Sequence, residues 1–278
     1  MILVTGATGK VGRHIVAGLL AEGVPVRALT RGAPVGLPAD AEIARWDPGE
    51  PDTLAGAFTG TAAVFINVTA VGSVITELMA AAARAGARRA VMLSSLTVRD
   101  NGVQPYSVGA YHKAIEDVVR AAPLTPTFLR CGGFAANTLA WAPTIRAEGI
   151  VRAPYPDAAT ALIAERDIAA AAVRVLLDDG HAGARYVLTG RPSLTQAEQA
   201  QAIGAAIGRE LRFEELSADA FRQATAAYLP AAAAEDMLRY LAAYVGRAAQ
   251  MSPDLEVITG RPATAFPDWA IEHAASFR

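Results

Sequence analysis

The chain has 278 residues, 53% of them hydrophobic and 19% charged, with 25 basic against 27 acidic side chains and a formal net charge of -2. A chain of this length buries about three quarters of the surface its unfolded form exposes, so a core needs neither disulfide nor structural metal. Balanced charge without a run of like residues argues against nucleic acid or an anionic membrane as partner, and Cys131, the only cysteine, excludes an internal disulfide or a cysteine-rich zinc cluster.

In chain order, short apolar runs alternate with longer helical stretches, the pattern of βαβ units around a parallel sheet. Ile2–Thr5 reads as the first strand, followed by a helix from about Lys10 with Val11, Ile15, Val16, Leu19 and Leu20 at helical spacing and Gly23 at its end. Pro25–Thr30 is the second strand, Glu42–Trp46 a weak third, Leu54–Phe58 a short helix and Ala62–Val68 the fourth strand. A helix over Ser73–Ala85, a strand over Arg89–Ser94, a helix over Gly109–Ala122 and a strand over Thr127–Cys131 follow. Glu165–Leu177 then reads as helix and Arg185–Leu188 as strand. After Gly190 the pattern changes: Thr195 and Glu198 form a capping box, Leu211–Leu216 an edge strand, and three more helical stretches follow, one begun by Pro230 and one ending near Phe277.

The start at Met1 lacks a basic leader and a cleavage site, and the most apolar stretch, Ile168–Leu177, is broken by Arg174 and falls short of the ~20 residues a membrane-spanning helix requires. The expectation is a soluble, cytoplasmic protein without membrane contacts. His14, His112, His181 and His273 are dispersed and suggest no metal site.

Gly6-Ala-Thr-Gly-Lys-Val-Gly12 lies between the first strand and the first helix. In that context Gly6 permits a tight turn, Gly9 lets backbone N–H groups approach a diphosphate, and Gly12 allows the helix to pack closely on the sheet. Which dinucleotide binds is set at the end of the second strand, where a carboxylate suits a ribose 2′-hydroxyl and an arginine a 2′-phosphate. Arg31 stands there, nineteen residues after Gly12, with no acidic residue between Glu22 and Asp40. NADP(H) is favoured over NAD(H); the competing reading of Arg31 is a solvated arginine at a strand end.

The segments TGATGKVGR, ALTR, Tyr111-His-Lys-Ala-Ile-Glu116, FLRCGGFAANTL from Phe128, ERDIA from Glu165, YVLTG from Tyr186 and TGRPATAFPDWAIEHAASF from Thr259 together resemble the NmrA-like branch of atypical short-chain dehydrogenase/reductases. The resemblance covers nearly the whole chain. It implies an α/β fold with a Rossmann-type parallel sheet, helices on both faces and a small, mainly helical C-terminal substrate lobe. Residues 1–135 and 164–190 would form the NADP(H)-binding core, and 136–163 with 191–278 the substrate-covering lobe. It places Thr8, Gly9, Lys10 and Val11 on the diphosphate, Arg31 on the 2′-phosphate and Asp47 near the adenine. Asn67 and Val68 would flank the cofactor, while Ser94, Ser95, Cys131, Gly132 and Gly133 would line its nicotinamide side.

Reductases of the wider superfamily carry a Tyr-x-x-x-Lys pair that delivers a proton as hydride moves. This chain lacks it: four residues before Lys113 stands Gly109, and a register anchored on Glu116 puts Val108 and His112 in the two slots. The absence also argues against sugar-nucleotide epimerase or dehydratase chemistry. His112 and Glu116 lie one helical turn apart, on one face. Three roles stay open for His112: a catalytic proton source, a positioning group for cofactor or substrate, or a structural histidine paired with Glu116. Tyr106, Tyr111 and Ser95 are substitute donors.

After the sixth strand, Phe134, Asn137, Leu139, Trp141 and then Tyr155 form a mixed apolar and polar set that, with Tyr111, would line the cleft around a small aromatic substrate; ordinary core packing is the alternative for each aromatic. A quinone fits the missing tyrosine, because its reduced form is a stabilised phenolate that needs less help from a protein acid. The expected activity is NADPH-dependent hydride transfer to a quinone, aromatic ketone or similar electrophile. A non-catalytic NADP(H)-sensing protein is the competing class.

Overall fold

The computed structural model describes residues 1–46 and 51–278. In chain order the first elements are β1 (Ile2–Thr5), α1 (Gly12–Ala21), β2 (Val26–Thr30), β3 (Glu42–Arg45), α2 (Pro51–Ala57), β4 (Ala63–Asn67) and α3 (Val68–Val71). A 3-10 turn at Gly72–Val74 leads into α4 (Ile75–Arg84), β5 (Arg89–Ser95), α5 (Ser107–Ala121) and β6 (Thr125–Cys131). After a 3-10 segment at Ala135–Trp141 come α6 (Ala142–Glu148), β7 (Ile150–Ala153), β8 (Ala159–Thr160), α7 (Glu165–Leu177) and β9 (Arg185–Leu188). The chain ends with β10 (Leu194–Thr195), α8 (Gln196–Ile207), β11 (Arg212–Glu215), α9 (Ala218–Thr225), α10 (Ala231–Ala243), α11 (Asp254–Thr259), α12 (Phe266–Glu272) and α13 (Ala274–Phe277).

Seven strands form one parallel sheet in the order β3-β2-β1-β4-β5-β6-β9, the doubly wound arrangement of the Rossmann fold. Its central strands are continuous apolar runs because both faces are covered by helices. Along β1 the two-residue period sends Ile2 and Val4 to the face packed by α1 and α7 and Leu3 to the face packed by α2, α4 and α5. Strand order reverses between β1 and β4, so the carboxyl ends of these two strands frame the crevice in which such sheets bind ligands. Among the described residues no helix is long and apolar enough to cross a membrane.

A separate apolar cluster built on Phe266, Trp269 and Phe277 joins the 135–141 segment, α6, β7, α8, α12 and α13. Two buried carboxylates of α7 tie these parts to the core. Glu165 Oε1 accepts from the Ala136 N–H at 2.9 Å, and Asp167, with no exposed surface, accepts from Arg261 Nη1 at 2.9 Å and the Thr264 N–H at 2.7 Å. Such acidic groups also suit the positive end of the α7 dipole. The expected capping box is formed: Thr195 Oγ1 accepts from the Glu198 N–H at 3.1 Å and Glu198 Oε2 from the Thr195 N–H at 2.7 Å.

The strand expected over Leu211–Leu216 is not at the edge of the main sheet. As β11 it pairs parallel with β7, from Arg212 opposite Ile150 to Glu215 opposite Ala153, because Leu211 and Phe213 pack on the second apolar cluster. α10 docks on α5 through Asp236, only 5% exposed, whose Oδ2 accepts from Ser107 Oγ at 2.5 Å and from the Val108 N–H at 3.2 Å. Asp236 thereby caps α5 from a distant part of the chain. Asp236→Ala is expected to cost about 1–2 kcal/mol, lowering the melting temperature by roughly 2–8 °C in a thermal scan. A melting curve identical to that of the unmodified chain would contradict this docking role.

Candidate functional site

The glycine turn joins β1 to α1 through a Gly9 N–H to Gly6 O bond of 2.9 Å, with the Arg13 N–H returning to Gly9 O at 3.2 Å. Gly12 packs so tightly that an added Cβ would fall 2.1 Å from Gly6 O, which no other residue tolerates without moving the backbone. At the neighbouring strand ends Thr5 Oγ1 donates to Phe65 O at 3.0 Å and accepts from the Asn67 N–H at 2.7 Å, while Asn67 Oδ1 accepts from the Thr69 N–H at 3.1 Å. These bonds pin β1 to β4 at the point where strand order reverses.

Between this turn and the end of β2 opens a cleft of about 210 Å³, lined by Thr5, Gly6, Thr8, Thr30, Arg31 and Trp46 among others. Arg31 is exposed and its guanidinium has no hydrogen bond or ion pair among the described residues. Thr30 Oγ1 donates to Gly32 O at 3.0 Å, shaping the turn that presents it. Trp46, a site residue the sequence reading missed, forms part of the wall; its only signal was its place at the end of the third strand. Asp47 lies outside the described residues. Lys10 reaches across from the turn, its Nζ donating to Ala136 O at 3.3 Å, so the diphosphate side and the loop after β6 face each other. A glycine turn that admits no Cβ and a cationic side chain without a partner fit a phosphorylated dinucleotide.

At the ends of β5 and β6 the polar side chains are largely committed to one another. Glu116 of α5, with no exposed surface, accepts from Ser94 Oγ at 2.7 Å, Arg130 Nε at 3.0 Å and Arg130 Nη2 at 2.7 Å. Arg130 also holds Asp100 through Nη1 at 3.1 Å and Nη2 at 2.7 Å. Burial opposes the Arg130 charge, but the hydrogen bonds it donates to Glu116 and Asp100 outweigh that penalty and keep the guanidinium protonated. The bond from Arg130 in turn holds the Asp100 carboxyl below its ordinary range, against the penalty of burial.

Of the three roles open for His112, this network disfavours the structural pair with Glu116. The carboxylate is taken up by Ser94 and Arg130, and His112 instead places Nδ1 2.8 Å from Val108 O on its own helix. Burial lowers the His112 pKa below the usual 6.5, although the Val108 carbonyl and the Glu116 charge pull it upward. Tyr111 stands beside it, ring against ring at 5.6 Å, with its hydroxyl 3.5 Å from Val68 O at the end of β4. His112, Tyr111 and Val68 therefore lie in one neighbourhood.

In the register ending on Lys113 the tyrosine slot is crowded and the lysine is already paired. A Cβ on Gly109 would meet Thr97 O at 2.8 Å, and Lys113 is engaged by Asp117 at 2.6 Å. Ser95 Oγ lies 2.8 Å from Thr97 Oγ1 and also accepts from the Thr97 N–H, which orders the turn after β5. Cys131 departs from the expectation: its side chain enters the core against α7, Sγ donates to Leu129 O at 3.5 Å, and burial pushes its pKa up. Only its backbone is left for the cleft. Gly132 and Gly133 continue it, with the Gly132 N–H bonded to Leu188 O at 2.8 Å and Gly133 O accepting from the Ile163 N–H at 2.9 Å.

The aromatics expected around a substrate are dispersed. Phe134 packs against the α1/α7 core, Trp141 against the cluster around Trp269, and Tyr155 against Phe221 and Leu238 of a small cluster formed by α9 and α10. Asn137 is exposed. Tyr155 carries a left-handed backbone, φ 53°, an unfavourable conformation for a bulky residue.

The family model described as the NmrA-like family matches residues 1–272. A (4-alkanoyl-5-oxo-2,5-dihydrofuran-3-yl)methyl phosphate reductase of Streptomyces griseus is 40% identical over 100% of this chain and 99% of its own. An NAD(P)H azoreductase of Xenophilus azovorans is 32% identical over 100% and 99%. Among solved structures, an NADPH-dependent quinone oxidoreductase of Escherichia coli superposes with a TM-score of 0.81 at 25% identity, over 98% of this chain and 99% of that one. With that family model matched over residues 1–272 and a glycine turn and doubly wound sheet to go with it, the chain belongs to the NmrA-like family.

Proposed function

We propose that this NADP-dependent oxidoreductase delivers hydride to a quinone, aromatic ketone or similar electrophile. One observation carries the reading: a dinucleotide groove whose Arg31 has no partner among the described residues adjoins an α5 on which no Tyr-x-x-x-Lys pair stands. A quinone suits such a site best, because its reduced form is a stabilised phenolate that gains little from a strong protein acid, whereas an aromatic ketone calls for a proton from the protein. Relatives named for reducing a dihydrofuranyl phosphate, for azoreduction and for quinone oxidoreduction support a conjugated acceptor.

NADP(H) is the cofactor, and when bound it supplies the hydride. Gly6, Thr8, Gly9, Lys10, Val11 and Gly12 would hold the diphosphate at the α1 N-terminus, and Arg31 the 2′-phosphate. Asn67, Val68, Ser95, Gly132 and Gly133 would surround the nicotinamide. Ser94 serves by fixing Glu116 and hence the face of α5 that carries His112. The protein's contribution is orientation and exclusion of water, with Tyr111, which stands beside His112 and Val68, proposed next to the acceptor.

His112 is the proposed proton carrier. Because Val108 O can only accept, neutral His112 keeps its proton on Nδ1 and leaves Nε2 as a lone pair; donation from Nε2 requires the protonated ring. Its lowered pKa places that form below pH 6.5. Turnover of an aromatic ketone is therefore expected to rise as pH falls through this pKa, and His112→Ala should remove the rise. Quinone reduction should change little in either test. Equal losses for both substrates, with weakened NADPH binding, would assign His112 to positioning instead.

Sensing without turnover competes with this reading, and the absent tyrosine favours it. Steady NADPH oxidation in the presence of a panel of quinones and aromatic ketones is expected. Binding of NADPH and NADP with equal affinity and no oxidation under any acceptor would establish the sensor.

A further inference from the structure

A second cleft, of about 230 Å³, lies on the α5 face of the sheet near its β9 edge and shares no residue with the dinucleotide cleft. Leu96, Val98 and Val187 form its apolar floor, and Tyr240 of α10 and Tyr244 just after it form a wall. The two phenol rings sit 4.9 Å apart and tilted, with Tyr106 edge-on to Tyr240 at 6.2 Å. Aromatic faces of this kind stack on a planar ring. Clefts that take drug-sized ligands are about 300–1,000 Å³, so this smaller one suits one or two fused rings.

The same cleft carries positive charge. Arg99 lines the cleft, its backbone clamped by Gln104, whose Oε1 accepts from the Arg99 N–H at 2.8 Å and whose Nε2 donates to Arg99 O at 2.7 Å. The Arg99 guanidinium itself has no partner among the described residues. Nearby, Arg130 and Arg185 share Asp100, and Arg130 shares Glu116. Arg120 also lies 3.5 Å from Glu116, so with Arg99 these guanidinium groups outnumber Asp100 and Glu116 and leave a net positive corner beside an aromatic wall. Asp100 occupies Arg130, so the free valence is that of Arg99.

We propose that this cleft binds a planar aromatic anion, its ring against Tyr240 and Tyr244 and its carboxylate or phosphate on Arg99. The two clefts share no lining residue, and the binding proposed is to the NADPH-loaded protein.

The test is calorimetric titration of the full chain saturated with NADPH, using 2-naphthoate, 2-naphthyl phosphate and uncharged 2-naphthol. At least one anion should bind saturably, and at least tenfold more tightly than 2-naphthol; whichever anion binds better identifies the preferred group. Arg99→Gln and Tyr244→Ala should each weaken that anion at least tenfold and leave NADPH affinity unchanged. Arg99 is exposed, so its variant keeps the test sound even where removal of Tyr244 disturbs α10. No saturable binding of either anion, displacement of the anion by NADPH, or unaltered affinity in Arg99→Gln would overturn the proposal.

Discussion

Glu116→Leu should destabilise the protein by about 3–5 kcal/mol, read as a lowered urea midpoint at unchanged slope. The carboxylate has no exposed surface and is the acceptor for Ser94 Oγ and for two nitrogens of Arg130, whose side chain is itself only 8% exposed. Removing it leaves a buried guanidinium held by Asp100 alone and an orphaned serine hydroxyl. Arg130→Met alone should cost a similar amount for the complementary reason. The double variant Glu116→Leu/Arg130→Met should recover much of the loss, because apolar groups of similar volume avoid the desolvation both charges suffer. Additive losses in the double variant would mean that the two groups do not act as a pair.

Arg31→Ala should weaken NADPH binding roughly tenfold to a hundredfold, equivalent to about 1.5–3 kcal/mol, and barely change NADH binding. The side chain lines the cleft beside the glycine turn and has no protein partner among the described residues to be released when an anion arrives. Its charge-assisted bonds to a 2′-phosphate are therefore gained without breaking an internal pair. Equal loss for both dinucleotides would place Arg31 on the diphosphate or in the fold, and the preference for NADP(H) would need another residue.

Much of this architecture is legible in the chain because parallel strands buried on both faces must be apolar throughout, and helices between them repeat at 3.6 residues. Ile2–Thr5, Arg89–Ser95 and Glu165–Leu177 announce themselves in this way. The stretch from Ala135 to Thr160 does not. Its 3-10 segment, short helix and two short strands have no sustained period, and their partners β10 and β11 lie more than thirty residues on. The same limit applies to the site. The glycine turn and Arg31 are local signals, but the fate of Glu116 depends on Arg130, on a strand whose arginine reads from sequence as a surface residue. The thiol of Cys131 enters the core because alternation on β6 turns it to the opposite face from Arg130.

The central claim is hydride transfer from NADPH, and single-turnover oxidation of NADPH deuterated at either face of C4 tests it most directly. Enzyme premixed with the labelled cofactor and then with an excess of a quinone or aromatic ketone should oxidise one of the two stereoisomers more slowly than unlabelled NADPH, and the other at the unlabelled rate. Slowing confined to one face would show that a bound, oriented nicotinamide gives up its hydride in the step observed. Unchanged absorbance with every acceptor would contradict the account, as would oxidation indifferent to label at both faces when shown to be limited by chemistry.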